Sequence, residues 1–136
     1  MSLFRIVYVS DAVGDAAVGL LPWIDIIGAS DRNNRRDHLT GILMRHEGRF
    51  FQAVEGARVD LDRLMGRLRT DHRHANIQIL SDGPIPQRLF PGFAMAQADA
   101  PPALKRMLAG SLTDPSVLAQ ADRILVDVSR AMAAVT

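Results

Sequence analysis

Residues 3–9 carry two alternating sets of side chains, and both are apolar. Phe4, Ile6 and Tyr8 fall on one side, Leu3, Val7 and Val9 on the other. A strand that is apolar at both sets is covered on both faces. The pattern predicts a first strand over 3–10. Residues 11–19 are rich in Asp, Gly and Ala and read as a loop. A first helix follows at 20–31, with Pro22 suited to its first turn and Ile24, Ile27 and Gly28 on one face. Strands over 39–45 and 49–55 again carry apolar residues at both alternating sets and form a hairpin, with Glu47-Gly48 as its tight turn. Residues 58–70 place Leu61, Leu64, Met65 and Leu68 on one helical stripe. A fourth strand is expected at 75–81. Pro84, Pro86 and Pro91 then break the path to a fifth at 92–97.

The order βαββαβ, followed by one further β, is that of an α+β protein with a ferredoxin-like sheet and two helices on one face. The other face needs a cover, and the C-terminal segment can supply it. A short helix is expected over 101–110, after Pro101-Pro102. A longer one over 115–134 carries Val117, Ala121, Ile124, Val128 and Ala131 at helical spacing. Pro115 fits its start, with Asp114 or Thr113 as cap. The organisation expected is a sheet domain over 1–98 and a helical extension over 99–136 that packs on the sheet.

Composition narrows the function classes. The 136 residues are 48% hydrophobic and 23% charged, with a net charge of +1. That is ordinary for one globular domain and argues against a general nucleic-acid binder. The chain has no cysteine, which excludes disulfides and thiolate chemistry. No apolar run approaches the ~18 residues of a membrane span, and Met1–Arg5 lacks the character of a signal peptide. A cytoplasmic protein with no membrane partner is the expectation.

Two buried polar positions stand out. Tyr8 is the only tyrosine, and Gln52 sits inside the apolar run Phe50-Phe51-Gln52-Ala53-Val54. A buried amide or phenol is costly unless hydrogen-bonded. If the first and third strands are neighbours, alternation lets both groups face the helix-covered side. A core tyrosine bonded to a strand glutamine and a pair that holds a ligand are equally good readings of these residues alone. Asn33-Asn34 read as a helix stop, since Asn tolerates left-handed geometry. Met95 and Phe93 share a face of the fifth strand and read as core packing. Asp71-His72-Arg73-His74 has a His-x-His spacing but no third ligand of suitable type nearby, so a solvated loop is favoured over a metal site. Arg32, Arg35 and Arg36 read as an exposed turn in preference to a phosphate or partner site. Glycine-rich nucleotide loops and hydrolase nucleophile motifs are missing.

Taken in order, Asn33-Asn34, Leu39-Thr40-Gly41-Ile42-Leu43, Phe50-Phe51-Gln52-Ala53-Val54-Glu55-Gly56, Asp71-His72-Arg73-His74 and Arg88-Leu89-Phe90-Pro91-Gly92-Phe93-Ala94-Met95 resemble the BLUF family of blue-light receptors. The resemblance covers residues 3–97 and rests on the ordered set, not on any one piece. It implies flavin adenine dinucleotide (FAD) as cofactor and a photosensory switch without substrate turnover. Tyr8 would give an electron and a proton towards the excited flavin. Gln52 would relay the proton and change its tautomer or orientation, and Met95 would feel the change. Asn34 would hold the ring edge and contact Gln52, with Asn33 beside the ring. Arg73 would reach a flavin carbonyl, with His74 next to it. Ile26 and Leu68 are the candidates for the apolar clamp on the ring. The family often has tryptophan where Phe93 stands, and the only tryptophan here is Trp23, so no tryptophan role carries over at that position.

The chain ends about forty residues after the fifth strand, too few for a cyclase or phosphodiesterase module. A separate signalling partner and self-association through residues 101–136 are therefore expected. Two other readings of the topology are weaker. An acylphosphatase-type enzyme would need an arginine in the loop after the first strand, and residues 11–19 have no Arg or Lys. An RNA-binding sheet would need exposed aromatics, and the strand aromatics here look buried.

Overall fold

Strand β1 (Leu3–Ala12) lies inside the sheet and pairs on both edges. The computed structural model describes residues 2–12, 20–71 and 74–135; the side chains of 20–27, 74, 134 and 135 are not described. Helix α1 (Leu20–Arg36) leads to β2 (Thr40–His46) and β3 (Arg49–Gly56), then α2 (Arg58–Thr70) to β4 (His74–Ile85) and β5 (Ala96–Gln97). Helices α3 (Pro102–Ala109) and α4 (Val117–Val135) follow. The five-stranded sheet has the order β4-β1-β3-β2-β5. The first four strands are antiparallel, and β5 adds in parallel beside β2. This is the α+β, ferredoxin-like arrangement that the pattern predicts, extended by one short strand.

The double apolar alternation divides the core in two. Ile6, Tyr8, Leu43, Phe50 and Val54 form one cluster with Leu61, Leu64 and Met65 of α2. Val7, Val9, Ile42, Met44, Phe51 and Ala53 form the other with Leu104, Met107, Ala121, Ile124 and Leu125 of α3 and α4. Each fully buried aliphatic side chain contributes ~1.5–3 kcal/mol. Central strands buried on both sides are therefore the costliest part of the fold to disrupt. The hairpin between β2 and β3 turns at Glu47 (φ 48°) and Gly48 (φ 76°). Two successive positive φ angles are the turn that matches strand twist, and glycine relieves the strain at the second. Asp114 caps the approach to α4 by accepting the Ser116 amide at 2.9 Å.

Several sequence-based boundaries change. Strand β1 runs to Ala12, two residues into the expected 11–19 loop, whose residues 13–19 lie outside the described ones. Helix α4 begins at Val117, not at 115, so Pro115 lies before the helix. Helix α1 runs to Arg36, not to 31, so Asn33 and Asn34 lie within the helix. An Asp31–Arg35 pair (2.8 Å) spans its last turns, and two terminal arginines complement the helix dipole. The left-handed residue that ends the turn is His38 (φ 56°), not an asparagine. Strand β4 continues to Ile85 and includes Pro84, which is tolerated because β4 is an edge strand. Strand β5 shrinks to two residues, with only Ile42↔Ala96 and Leu43↔Gln97 in register. Since 91–95 is not a strand, alternation does not govern it. Met95 and Phe93 consequently pack on opposite faces, Met95 with Tyr8 and Phe93 against the α3–α4 cluster.

Asp37 ties the exit of α1 to α2. Its buried carboxylate meets Arg36 at 3.1 Å, Arg67 at 3.1 Å and Arg63 at 3.6 Å. The Arg36 guanidinium, and after it Arg67, hold its carboxyl below the ordinary aspartate range against the opposing effect of burial. A depressed folded-state pKa gives stability that is complete above the unfolded value near ~4 and is lost as pH falls through the folded value. Asp37→Asn should lower the melting midpoint by roughly a few degrees at pH 7. The gap between variant and wild type should narrow as pH falls below the unfolded value and close once the folded carboxylate is protonated. Thermal melts of both proteins across that range check it, and a gap that persists at low pH would refute the ionic assignment.

Candidate functional site

Tyr8 and Gln52 are direct partners across the central β1–β3 pair, and Leu43 stands opposite Gln52 on its other side. The register, with residue parity, puts both polar groups on the face covered by the helices. Both are buried, Tyr8 completely. The Tyr8 hydroxyl donates to Gln52 Oε1. At the other end of the same amide, Gln52 Nε2 points at Met95 Sδ, 3.6 Å away. A thioether is a weak acceptor, so the two ends of the amide are held unequally.

Asn34 closes the arrangement from α1. Its Nδ2 donates to the Ala94 carbonyl at 2.7 Å, next in chain to Met95. Its Oδ1, although buried, has no hydrogen-bond partner among the described residues. An orphaned acceptor in the interior costs ~1–3 kcal/mol, so this oxygen marks a place where a donor belongs. Asn33 is half-buried, and its carbonyl accepts the Asp37 amide. Leu68 of α2 packs against the Tyr8 cluster.

The electrostatics keep the phenol neutral. Burial pushes the Tyr8 pKa far up, and the Asp71 carboxylate adds to the shift. Tyr8 is therefore held in its protonated form at neutral pH.

Tyr8, Gln52, Met95, Asn34 and Leu68 thus converge on one helix-covered region. Arg73 lies outside the described residues, as do the side chains of Ile26 and His74. For His74 the backbone is seen opening β4, paired with Ala12. The arginine cluster divides: Arg35 pairs with Asp31 and Arg36 with Asp37, while Arg32 is exposed. Sequence reasoning missed Asp37 and Asp71. An aspartate directly after Arg35-Arg36 was the available signal for the first. Nothing in the sequence placed the second near Tyr8. Among the described residues, no group of three or more His, Cys, Asp or Glu is placed to hold a metal ion. No described helix is long and apolar enough to cross a membrane.

Comparison with known proteins identifies this arrangement. Residues 3–96 match the family model described as BLUF, sensors of blue-light using FAD. The chain belongs to the BLUF family. Its fold matches the dark-state structure of BlrB, a BLUF protein, with a TM-score of 0.78 and 28% identity over 93% of this chain and 97% of that one. A bacterial light-regulated adenylyl cyclase aligns with a TM-score of 0.67 and 28% identity, covering 96% of this chain and 35% of the cyclase. The photoactivated adenylate cyclase subunit beta of Euglena longa is 27% identical over 112 residues. That match takes in 79% of this chain, which spans only 13% of the length of that relative.

The cofactor of the family is FAD, and the residues present fit a flavin. The orphaned Asn34 Oδ1 is an acceptor suited to a ring N–H, and the neighbouring Gln52 amide can donate to a ring carbonyl. Leu64, Met65 and Leu68 supply apolar surface from α2.

The Tyr8–Gln52 bond can be measured without the cofactor. In the apoprotein, Tyr8→Phe or Gln52→Leu alone leaves a buried group unpartnered and should cost ~1–3 kcal/mol. The double variant removes both groups and should be less destabilised than the sum of the singles by ~1 kcal/mol or more. Denaturant unfolding of the four proteins provides the test. Strict additivity would mean that the two side chains do not interact.

Proposed function

We propose that this chain is a reversible blue-light switch whose photoactive pair is Tyr8 and Gln52 and which acts without turning over a substrate. The observation that carries this reading is the buried chain Tyr8–Gln52–Met95 beside the unpaired Asn34 oxygen. When bound, the flavin supplies absorption of blue light and an excited state able to accept an electron. Tyr8, the only tyrosine, is the donor. Its raised pKa keeps the proton in place at rest, and loss of an electron sends that proton to Gln52 Oε1, the atom it already touches. Gln52 then exchanges the roles of its two ends by rotation or tautomer change. The exchange is cheap, because the contact it breaks is the weak one to Met95. Asn34, and by resemblance Asn33, Arg73 and His74, hold the ring edge, while Ile26 and Leu68 clamp its faces.

Output leaves through Met95 and β5, which sits directly beside β2. The covering helices present a surface for a contact. Leu118 is 47% exposed, and Ala131 near the end of α4 is exposed too. We assign to this surface self-association and contact with a separate signalling protein in the cytoplasm. This reading includes no membrane or nucleic-acid partner.

The test is a light-minus-dark spectrum of the flavin-loaded protein. Wild type should show a small red shift that decays in the dark. Tyr8→Phe and Gln52→Leu should stay yellow and lose the shift, whereas Asn34→Ala should bind flavin about tenfold more weakly. A normal shift in either of the first two removes that residue from the photoreaction. Sizing the same samples in darkness and under blue light should show an oligomer whose population responds to light. A strict monomer in both states would overturn the association assignment.

A further inference from the structure

Two charged residues of the sequence motifs have no part in the chemistry above. Glu55 follows the apolar run of β3, and Arg88 opens the segment that ends at Met95. The structure gathers both into one knot, and strand alternation puts the Glu55 side chain on the sheet face opposite Tyr8. The Glu55 carboxylate is fully buried. Its Oε2 accepts from Arg5 Nε (3.1 Å) and Nη2 (2.9 Å) and from the Leu89 amide (2.8 Å). Its Oε1 accepts from the Phe90 amide (3.1 Å) and the Thr40 hydroxyl (3.2 Å). Arg88 completes the knot. Its Nη1 donates to Thr40 Oγ1 (2.8 Å) and the Glu55 carbonyl (3.0 Å), and its Nη2 to the His38 carbonyl (3.1 Å).

We propose that the Glu55–Arg88 knot is the positioning device of the switch, and that it sets how long the light-induced state lives. The proposal rests on the photoreceptor reading above. The knot holds both polar flanks of the candidate flavin site. One arm runs from His38 back to Asn34, and the other runs from Phe90 forward to Met95. Between them, Phe93 O accepts the Gly41 amide at 3.0 Å and Ala94 O accepts from Asn34 Nδ2 at 2.7 Å. Phe90, Phe93 and Met95 pack into the two cores, but the turn between Phe90 and Phe93 is little packed. Pro91 and Gly92 are exposed, and residues 91–94 wall an open groove of about 490 Å³ with Asn34, Arg35 and His38. Beyond these contacts, β5 holds the stretch with only two register pairs. A buried, fully bonded carboxylate does not yield gradually, because losing one partner leaves a charge or amide unsatisfied. Rearrangement at Gln52 and Met95 therefore works against a fixed anchor. The resulting strain raises the energy of the lit state and drives its return.

Loosening the knot should relieve that strain and slow dark recovery. In the flavin-loaded full chain, Arg88→Met should recover at least about threefold more slowly, the effect of a modest change in barrier. Its dark spectrum and flavin content should match wild type, since Tyr8 and Gln52 lie on the other face. Hydrogen exchange in the dark should be about tenfold faster at the Gly41 amide and unchanged in the β1 and β3 amides, as expected for local opening. Arg88→Lys should restore part of both effects. Thr40→Val removes only the hydroxyl shared by the two halves and should shift both readouts the same way. It serves as the deciding variant if Arg88→Met fails to fold. Wild-type recovery and wild-type Gly41 exchange in a folded variant would overturn the proposal, as would faster exchange spread evenly over the sheet. A wild-type protein with no light-induced shift would instead overturn the photoreceptor reading, and the Gly41 exchange alone would then judge the anchor.

Discussion

Everything at the candidate site depends on one buried hydrogen bond, from the Tyr8 hydroxyl to Gln52 Oε1. A glutamine side chain in a central strand has four hydrogen-bonding positions to satisfy and no water to satisfy them. The sheet meets this need from the facing strand, where register alone makes Tyr8 the partner. A one-residue slip of β1 against β3 would turn Tyr8 to the other face, away from Gln52, and leave each unpaired. Sheet register and site chemistry are therefore the same constraint. The register is in turn enforced by apolar side chains on both faces of β1 and β3, which a slip would exchange.

The amide is satisfied unevenly, and the unevenness matters for function. Its oxygen has a strong donor, while its nitrogen faces a sulfur atom. Asn34 repeats the pattern with the opposite atom: its nitrogen is bonded to Ala94, and its oxygen has no partner among the described residues. Two neighbouring amides, each with one weak or empty end, make an interior that is incomplete by itself. Native cores rarely keep such vacancies unless a bound group fills them. That is the physical basis for fitting a flavin ring edge here, and it is independent of the match to the family. The same incompleteness lets an amide change state cheaply, because little is lost at the weak end.

Much of this was legible in the sequence. The double apolar alternation of the strands gave their burial on both sides, and the helical stripes gave the covers. Tyr8 and Gln52 were visible because a phenol and an amide are out of place among such side chains. Limits appeared where periodicity stops applying. Helix α1 outran its apolar stripe, since its last turns are held by an ion pair, the dipole and the polar side chain of Asn34. Residues 92–95 looked like a strand but follow a Pro-Gly turn, so Phe93 and Met95 separated to opposite faces. Asp71 shows a different limit. Its effect on Tyr8 is long in sequence and purely electrostatic, and no local pattern encodes it.

Glu55 illustrates what a sequence can announce without explaining. A carboxylate directly after five core residues has to be paired, because an isolated buried charge would cost several kcal/mol. The sequence contains 16 basic side chains, and pattern cannot choose among them. The fold chooses Arg5, which register places opposite Glu55. It then adds two backbone amides that no side-chain pattern could reveal. Those amides belong to the segment leading to Met95, while the carbonyls held by Arg88 belong to β3 and to the exit of α1. The anchor is thus made largely of backbone groups, and its position follows from topology. The central sheet carries the Tyr8–Gln52 pair on one face and this anchor on the other. On the proposed reading, a disturbance at Gln52 would reach the segment around β5 through Met95, and the anchor would limit how far that segment follows.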